Sequence, residues 1–343
     1  MKHLMISGGP HETGLQHGRG APELVAAAMQ SEEYFAYSNG RPELRAAARR
    51  YEGNIAAMYP DLIDELHGIA EGAGAEYEDL LVYNLYCELR NLARESCSYV
   101  AIQTDAHGPM IGKLHDDMPD LYCLQTRAMP GRHTVFIATY AGTTWAMGGI
   151  NDGGLCYCEA SAPDGGHRDE GGVPGVMTLR RVLEMCATVD EAVGFLAAHG
   201  FIRWGRNICL ADAGGGLLVV EKHAGIQGIR EPEDGIIAAT NFRNHPEVAR
   251  SADTPTIEQY DQAGARKGAM DRYLYLMGAA RRLGRAATIE QMQEVIQYSG
   301  QPGGVCSDHT VYGAVLLPAE GRVLLTDGPP SRNPFVEYRP VMA

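Results

Sequence analysis

Arg94-Glu95-Ser96-Cys97-Ser98-Tyr99-Val100-Ala101-Ile102 is the stretch on which the fold turns. Upstream of it the chain reads as helix. From Cys97 the apolar period changes to two and the first β-hairpin begins. Ser98 to Thr104 alternates, Ala106-His107-Gly108-Pro109 turns, and Met110 to His115 returns. A cysteine at such a seam has two readings. One is a small strand residue of the core, free cysteine being among the most buried residue types. The other is a nucleophile uncovered by cutting the chain at its own amide. Scission of the Ser96–Cys97 bond would give Cys97 an α-amine beside its thiol. With a pKa of about 7.7–8.0, that amine can act as a general base near neutral pH.

Working upstream, Glu43 to Met58 is Ala-rich with high helix propensity. From Pro60, Leu62, Ile63, Leu66, Ile69 and Ala70 fall on one helical stripe, with the proline suited to the first turn. A third helix is predicted from about Tyr77 to Leu92, carrying Asn84 and Glu88 near one face. Downstream, strands are predicted at Thr134–Tyr140, Leu155–Ser161, Asn207–Asp212, Leu217–His223, Gly235–Thr240, Thr310–Leu317 and Arg322–Thr326. Helical blocks at Val176–His199 and Thr256–Tyr298 interrupt them. Helices in blocks between runs of hairpins imply an α+β fold with antiparallel sheets and helices on their outer faces.

Composition narrows the function. The 343 residues are 45% apolar, enough for one large core or two smaller ones. A net charge of −14 argues against nucleic-acid binding, which needs a basic face. No run reaches the roughly 18 apolar residues of a membrane span. Met1 to Pro10 lacks the apolar core of a secretory signal, so a cytoplasmic location is expected. The eight cysteines then read as thiols rather than a disulfide framework. Cys156 and Cys158 alternate onto one strand face and read as core, their spacing matching no zinc set.

Several other residues carry chemistry. Leu114-His115-Asp116-Asp117 ends the first hairpin. It is either a solvated turn or a group in which Asp116 orients the Cys97 amine or binds a substrate amine. Asn241 ends an apolar strand, where it either shapes a turn or donates to a developing oxyanion. Pro10-His11-Glu12-Thr13-Gly14-Leu15-Gln16-His17-Gly18 is a polar, Gly-rich cluster. Its glycines permit unusual backbone geometry. Its Glu12 and His17 read as a local polar network or an acid–base pair and, lying so far upstream of Cys97, more readily as support for the precursor fold.

These motifs together resemble the acyl-coenzyme A:isopenicillin N acyltransferase family of self-cleaving N-terminal-nucleophile hydrolases. The resemblance rests on Pro10-x-Glu12-x-Gly14-x-x-His17-Gly18, on the helix from Tyr59-Pro60 to Gly72-Ala73, and on Asn84…Glu88. It continues through Gly149-Ile150-Asn151-x-x-Gly154-Leu155, Gly172-Val173-Pro174…Leu183-Glu184 and Thr240-Asn241. The family nucleophile falls on Cys97, its hairpin aspartate on Asp116 and its oxyanion donor on Asn241. Ser96 stands where the family usually has glycine, and His115 where it has tryptophan.

The resemblance implies a four-layer αββα sandwich. It further implies a helical segment, 1–96, released by self-cleavage from a catalytic chain, 97–343, and remaining as its partner. The implied reaction is amide hydrolysis or acyl transfer on a small-molecule amide or acyl donor, through a thioester on Cys97. Tyr99, His115 and His309 are candidate substrate-binding residues. No metal or organic cofactor is called for, and acyl-coenzyme A is admitted as a co-substrate. Two rivals stand beside this reading. One is a non-processing, ligand-binding member of the same fold. The other is a metal-dependent hydrolase using His115, Asp116, Asp308 and His309.

Overall fold

A computed structural model of the chain describes residues 1–31, 42–90, 97–117, 121–253, 267–301 and 303–341. Two sheets face each other. In the larger, β1 (Lys2–Ser7), β4 (Tyr122–Ala128), β5 (Val135–Tyr140), β6 (Gly148–Asn151), β7 (Leu155–Ala162), β8 (Gly205–Asp212), β9 (Leu217–His223) and β10 (Ile226–Arg230) lie side by side in that order. In the smaller the order is β11 (Ile236–Ala239), β2 (Ser98–Thr104), β3 (Gly108–Asp116), β12 (Thr310–Leu317), β13 (Arg322–Thr326) and β14 (Phe335–Tyr338). All neighbours pair antiparallel except β1 with β4.

Alternation along the strands builds the layers. On β2, Tyr99 and Ala101 enter the core between the sheets, whereas Val100 and Ile102 pack outward. The outward side is covered by helices at Lys267–Leu283 and Ile289–Gln297. The start of the helical block predicted from Thr256 lies outside the described residues. On the larger sheet, Val135, Ile137, Tyr157 and Ile208 pack outward against helices at Gly175–Met185 and Val189–Ala198. The result is the four-layer αββα sandwich expected from the sequence. A Thr188/Glu191 capping box starts one of these helices and a Thr288/Gln291 box another.

The N-terminal segment is not helical throughout. Leu4 and Ile6 alternate inward on β1, which pairs in parallel with β4 from Lys2↔Cys123 to Ser7↔Ala128. The strand is short and sits before any turn signal, which hides it in the sequence. After it come α1 (Pro10–Gly20), α2 (Pro22–Gln30), α3 (Pro42–Met58), α4 (Pro60–Ala73), α5 (Tyr77–Asn84) and α6 (Tyr86–Arg90). The predicted third helix therefore breaks at Leu85, and its last two residues lie outside the described ones. The two outer helical blocks take the labels α7 (Gly175–Met185) and α8 (Val189–Ala198), then α9 (Pro246–Ser251), α10 (Lys267–Leu283) and α11 (Ile289–Gln297).

The Gly-rich motif of α1 serves close packing rather than unusual backbone geometry. A Cβ on Gly14 would stand 2.0 Å from the Glu65 carbonyl oxygen, and one on Gly72 2.5 Å from that of Leu15. The two helices touch backbone to backbone, a contact only hydrogen side chains permit. Glu12 and His17 do not form the local network expected of them. Glu12 is exposed, whereas His17 is buried and accepts the Gly142 amide at Nε2 (3.2 Å). Among the described residues, no helix is long and apolar enough to cross a membrane.

Candidate active site

Cys97 sits immediately before β2 and is fully buried. Ser98 pairs with Leu114, so the hairpin register brings Cys97 opposite His115. Period two then sends Tyr99, Lys113 and His115 into the space between the sheets with the thiol. The Cys97 sulfur lies 3.5 Å from His115 Nδ1 and 3.8 Å from the Asp116 carbonyl oxygen.

Lys113 shares this inward face. Its ammonium donates to the Glu159 carbonyl and interacts with the Cys97 sulfur. Burial works against that charge, yet Cys97 and Glu159 hold its pKa above the ordinary lysine value. Lys113 also lines an apolar cavity between the sheets with Phe136, Gly148, Tyr157, Tyr312 and Leu316.

His115 is wholly buried. Its ring stacks on Tyr312, with centroids 5.0 Å apart and planes 10° from parallel. Nε2 lies 2.6 Å from the Tyr122 hydroxyl, which donates to Asp117 Oδ2 at 3.0 Å. Tyr140 donates to the same carboxylate oxygen. Burial, then the charges of Lys113 and Arg206, push the His115 pKa well below its ordinary value, so the ring is neutral.

Asp116 points to the opposite face of β3. There its carboxylate accepts from Thr310 Oγ1 at 2.6 Å. Burial raises its pKa against the pull of Thr310, Arg272, Lys113 and His309. Asn241 follows β11 and is nearly buried. Its Nδ2 donates to the Ser161 carbonyl at 2.9 Å and its Oδ1 accepts from Arg272 Nη2 at 3.0 Å. Arg272 Nη1 reaches the Cys97 carbonyl at 3.4 Å. One guanidinium on α10 thus ties the cysteine backbone to the asparagine side chain.

Cys97, His115, Asp116 and Asn241 are therefore gathered by the fold. The other expected residues are placed differently. Tyr99 is buried two residues along β2, near Cys158 and Cys209. His309 is exposed, and its carbonyl accepts the Asp117 amide at 3.0 Å. Asp308 is exposed and pairs with Arg332. The metal rival is thereby corrected: His115 lies inside the sandwich while Asp308 and His309 lie on its surface. No group of three or more His, Cys, Asp or Glu suited to a metal gathers among the described residues. Ser96, the other half of the expected cleavage bond, lies outside the described residues. Cys156 and Cys158 are core residues, buried between the sheets as expected.

Lys113 and Arg272 are site residues that sequence reasoning missed. Lys113 was visible as a lone cation with the parity of Ile111, in an otherwise uncharged run from Met110 to Leu114. Arg272 was visible as a charge four residues before Leu276, on the apolar stripe of its helix. The helices before Cys97 also bury polar side chains in the fold. Asn84 donates to the Gly142 carbonyl at 2.9 Å and accepts the Thr144 amide at 2.9 Å. Glu88 is buried with neither carboxylate oxygen hydrogen-bonded.

A family model described as acyl-coenzyme A:6-aminopenicillanic acid acyl-transferase matches residues 109–297, more than half of the chain. The chain belongs to this family. Among its relatives, this acyltransferase-family chain is 27% identical over 221 residues to the acyl-coenzyme A:6-aminopenicillanic-acid-acyltransferase 40 kDa form of Emericella nidulans. The match covers 60% of this chain and 61% of that protein, so it spans about three fifths of the relative's length. Among solved structures, the Caenorhabditis elegans N-acylethanolamine-hydrolyzing acid amidase ortholog is similar at 18% identity and a TM-score of 0.49. That match covers 65% of this chain and 93% of that one. Penicillin V acylase from Agrobacterium tumefaciens is similar at 18% identity and a TM-score of 0.48, over 67% and 83% of the two chains.

Proposed function

We propose that this family member is a cysteine amidohydrolase or acyltransferase. In this reading it first cuts itself between Ser96 and Cys97, then carries its acyl group as a thioester on Cys97. The observation that carries the reading is the setting of one sulfur. Cys97 heads an inner strand with an ammonium and an imidazole beside its thiol, and Arg272 links its carbonyl to Asn241.

Each group has a part. The new α-amine of Cys97 deprotonates the attacking thiol and later the water or acceptor. Lys113, buried beside the thiol, stabilises negative charge on sulfur. Asn241 presents its amide nitrogen to the oxyanion. Asp116, steadied by Thr310, orients the α-amine. The cavity beside Lys113 favours an apolar acyl group. The substrate is a small-molecule amide or acyl donor, with acyl-coenzyme A admitted as the donor. The chemistry calls for no metal, because the nucleophile and its base sit on one residue. Segment 1–96 stays as a partner after the cut.

Intact-mass spectrometry tests this directly. The wild type should give two masses, for 1–96 and 97–343, and Cys97→Ala one. Incubation with p-nitrophenyl octanoate should add one octanoyl group to 97–343, removable by hydroxylamine as a thioester is. A cut Cys97→Ala chain, or an uncut wild type that still turns over the ester, would overturn the proposal.

A further inference from the structure

We propose that His115 is the base that takes the Cys97 thiol proton while the chain is still uncut, and that Tyr122 and Asp117 fix the imidazole tautomer for that task. This rests on the reading of Cys97 as a self-cleaving nucleophile. Before cleavage the Cys97 nitrogen belongs to a peptide bond. Its lone pair is delocalised into the carbonyl and accepts no proton at ordinary pH. The α-amine that serves turnover does not yet exist, so the first cut needs another acceptor.

Among the described residues, His115 and the Asp116 carbonyl offer acceptors to the sulfur. The Asp116 carbonyl oxygen, at 3.8 Å, can take a hydrogen bond but not hold a proton. His115 Nδ1, at 3.5 Å, can do both. The neighbours on the far side of the ring decide its tautomer. Tyr122 has one hydroxyl hydrogen, and it goes to Asp117 Oδ2. The Tyr122 oxygen, 2.6 Å from His115 Nε2, must therefore accept there. Nε2 carries the ring hydrogen, which leaves a lone pair on Nδ1 facing the thiol. Stacking on Tyr312 holds the ring in this attitude.

The charges around the ring suit a base used once. Burial first, then Lys113 on the same strand and Arg206 on β8, keeps the resting imidazole neutral. Asp117 Oδ2, 3.8 Å from Nε2, steadies the imidazolium when it forms. Among the described residues, Tyr122 on β4, Tyr312 on β12 and Cys97 face it too. Lys113 in turn faces the thiolate.

The step balances. The S–H bond breaks and its proton moves to Nδ1. The sulfur pair forms a bond to the Ser96 carbonyl carbon, whose π pair moves onto oxygen. That intermediate collapses as the C–N bond breaks and the departing nitrogen takes the proton from Nδ1. His115 is neutral again, and the products are a Ser96 thioester and a free Cys97 amine. Water then hydrolyses the thioester.

The test needs no external substrate. Full-length chain is made by cell-free translation, synthesis is stopped, and samples are quenched and weighed intact over time at several pH values. His115→Phe should slow cleavage by about a hundredfold or more and make the rate climb with hydroxide. Tyr122→Phe keeps the ring but removes its fixing partner, and should slow cleavage by about tenfold. Wild-type rate and pH profile in His115→Phe would overturn the proposal. If His115→Phe shows no cooperative thermal unfolding, Tyr122→Phe decides instead, and a wild-type rate there would overturn the proposal. An uncut wild type, or a cut Cys97→Ala, would bring down the underlying reading of Cys97.

Discussion

Arg272 Nη2 donates to Asn241 Oδ1 at 3.0 Å, and this contact fixes which end of the amide is the donor. A guanidinium has no acceptor, so the atom turned toward it must be the oxygen. The amide nitrogen is thereby set on the other side, toward Ser161. A residue late in the chain thus orients the group proposed to stabilise negative charge.

Asn241→Ala should lower kcat by about a hundredfold and leave KM nearly unchanged, because its amide matters once charge develops on oxygen. Steady-state kinetics on a panel of p-nitroanilides of simple carboxylic acids would read this. Near-normal kcat would remove Asn241 from the site.

Arg272→Ala should act largely through the same asparagine. The single variants and the pair form a double-mutant cycle. The combined loss in kcat should fall short of the summed losses by about 1 kcal/mol or more. Full additivity would mean that Arg272 and Asn241 work independently.

Glu65 on α4 meets two arginines from downstream of Cys97. Arg180 grips it with bonds of 2.9 and 2.5 Å, and Arg127 lies 2.9 Å away. All three are buried, as is Glu184, which accepts from Arg180 Nε at 2.8 Å. Glu65→Ala, made in uncut Cys97→Ala, should cost about 3–5 kcal/mol in urea unfolding, since two buried cations lose a partner. In the cut enzyme the same contact should keep 1–96 and 97–343 together in gel filtration. Burial opposes the charges of Glu65 and Glu184, but the arginines outweigh it and hold both carboxyls low, Glu184 at about 2. Their contribution is present above the ordinary carboxylate range and is lost as pH falls toward about 2.

Glu88 behaves in the opposite sense. Burial raises its pKa to about 7, only partly offset by Arg206 and Arg203. The unfolded carboxyl gives up its proton first, so stability falls as pH rises from about 4.5 to about 7 and stays reduced above. In uncut Cys97→Ala, Glu88→Gln should flatten that slope and stabilise the chain at about pH 8 by at most about 3 kcal/mol. Urea melts on both sides of the window check it; parallel slopes with and without Glu88 would refute it.

Much of this architecture was legible because it is local. The hairpin at Cys97 shows period two on both arms, and Pro60 to Ala73 carries a proline start, an apolar stripe and a glycine stop at Gly74. The pairing of β1 with β4 was not legible, since a six-residue strand says nothing about a partner more than a hundred residues away. The site divides in the same way. Cys97, Asp116 and Asn241 mark strand ends, where polar residues stand out. Lys113 and Arg272 stand on apolar faces in the sequence, but what they touch is decided only when the layers close over them. The role of the His115 ring depends on Tyr122 of the other sheet, a contact that only the stacking of the two sheets creates.

Strand β1 covers one edge of β4, yet it belongs to the segment ahead of the proposed cut. A polypeptide begun at residue 97 would fold with that edge bare, an invitation to pair with a second copy. The leading segment is therefore a template that every molecule inherits in single dose from its own synthesis. Two separately translated halves would have to find each other before the open edge finds itself. The proposed scission after folding would avoid this competition: assembly would be unimolecular, and the chain would become two only once the sheet is complete.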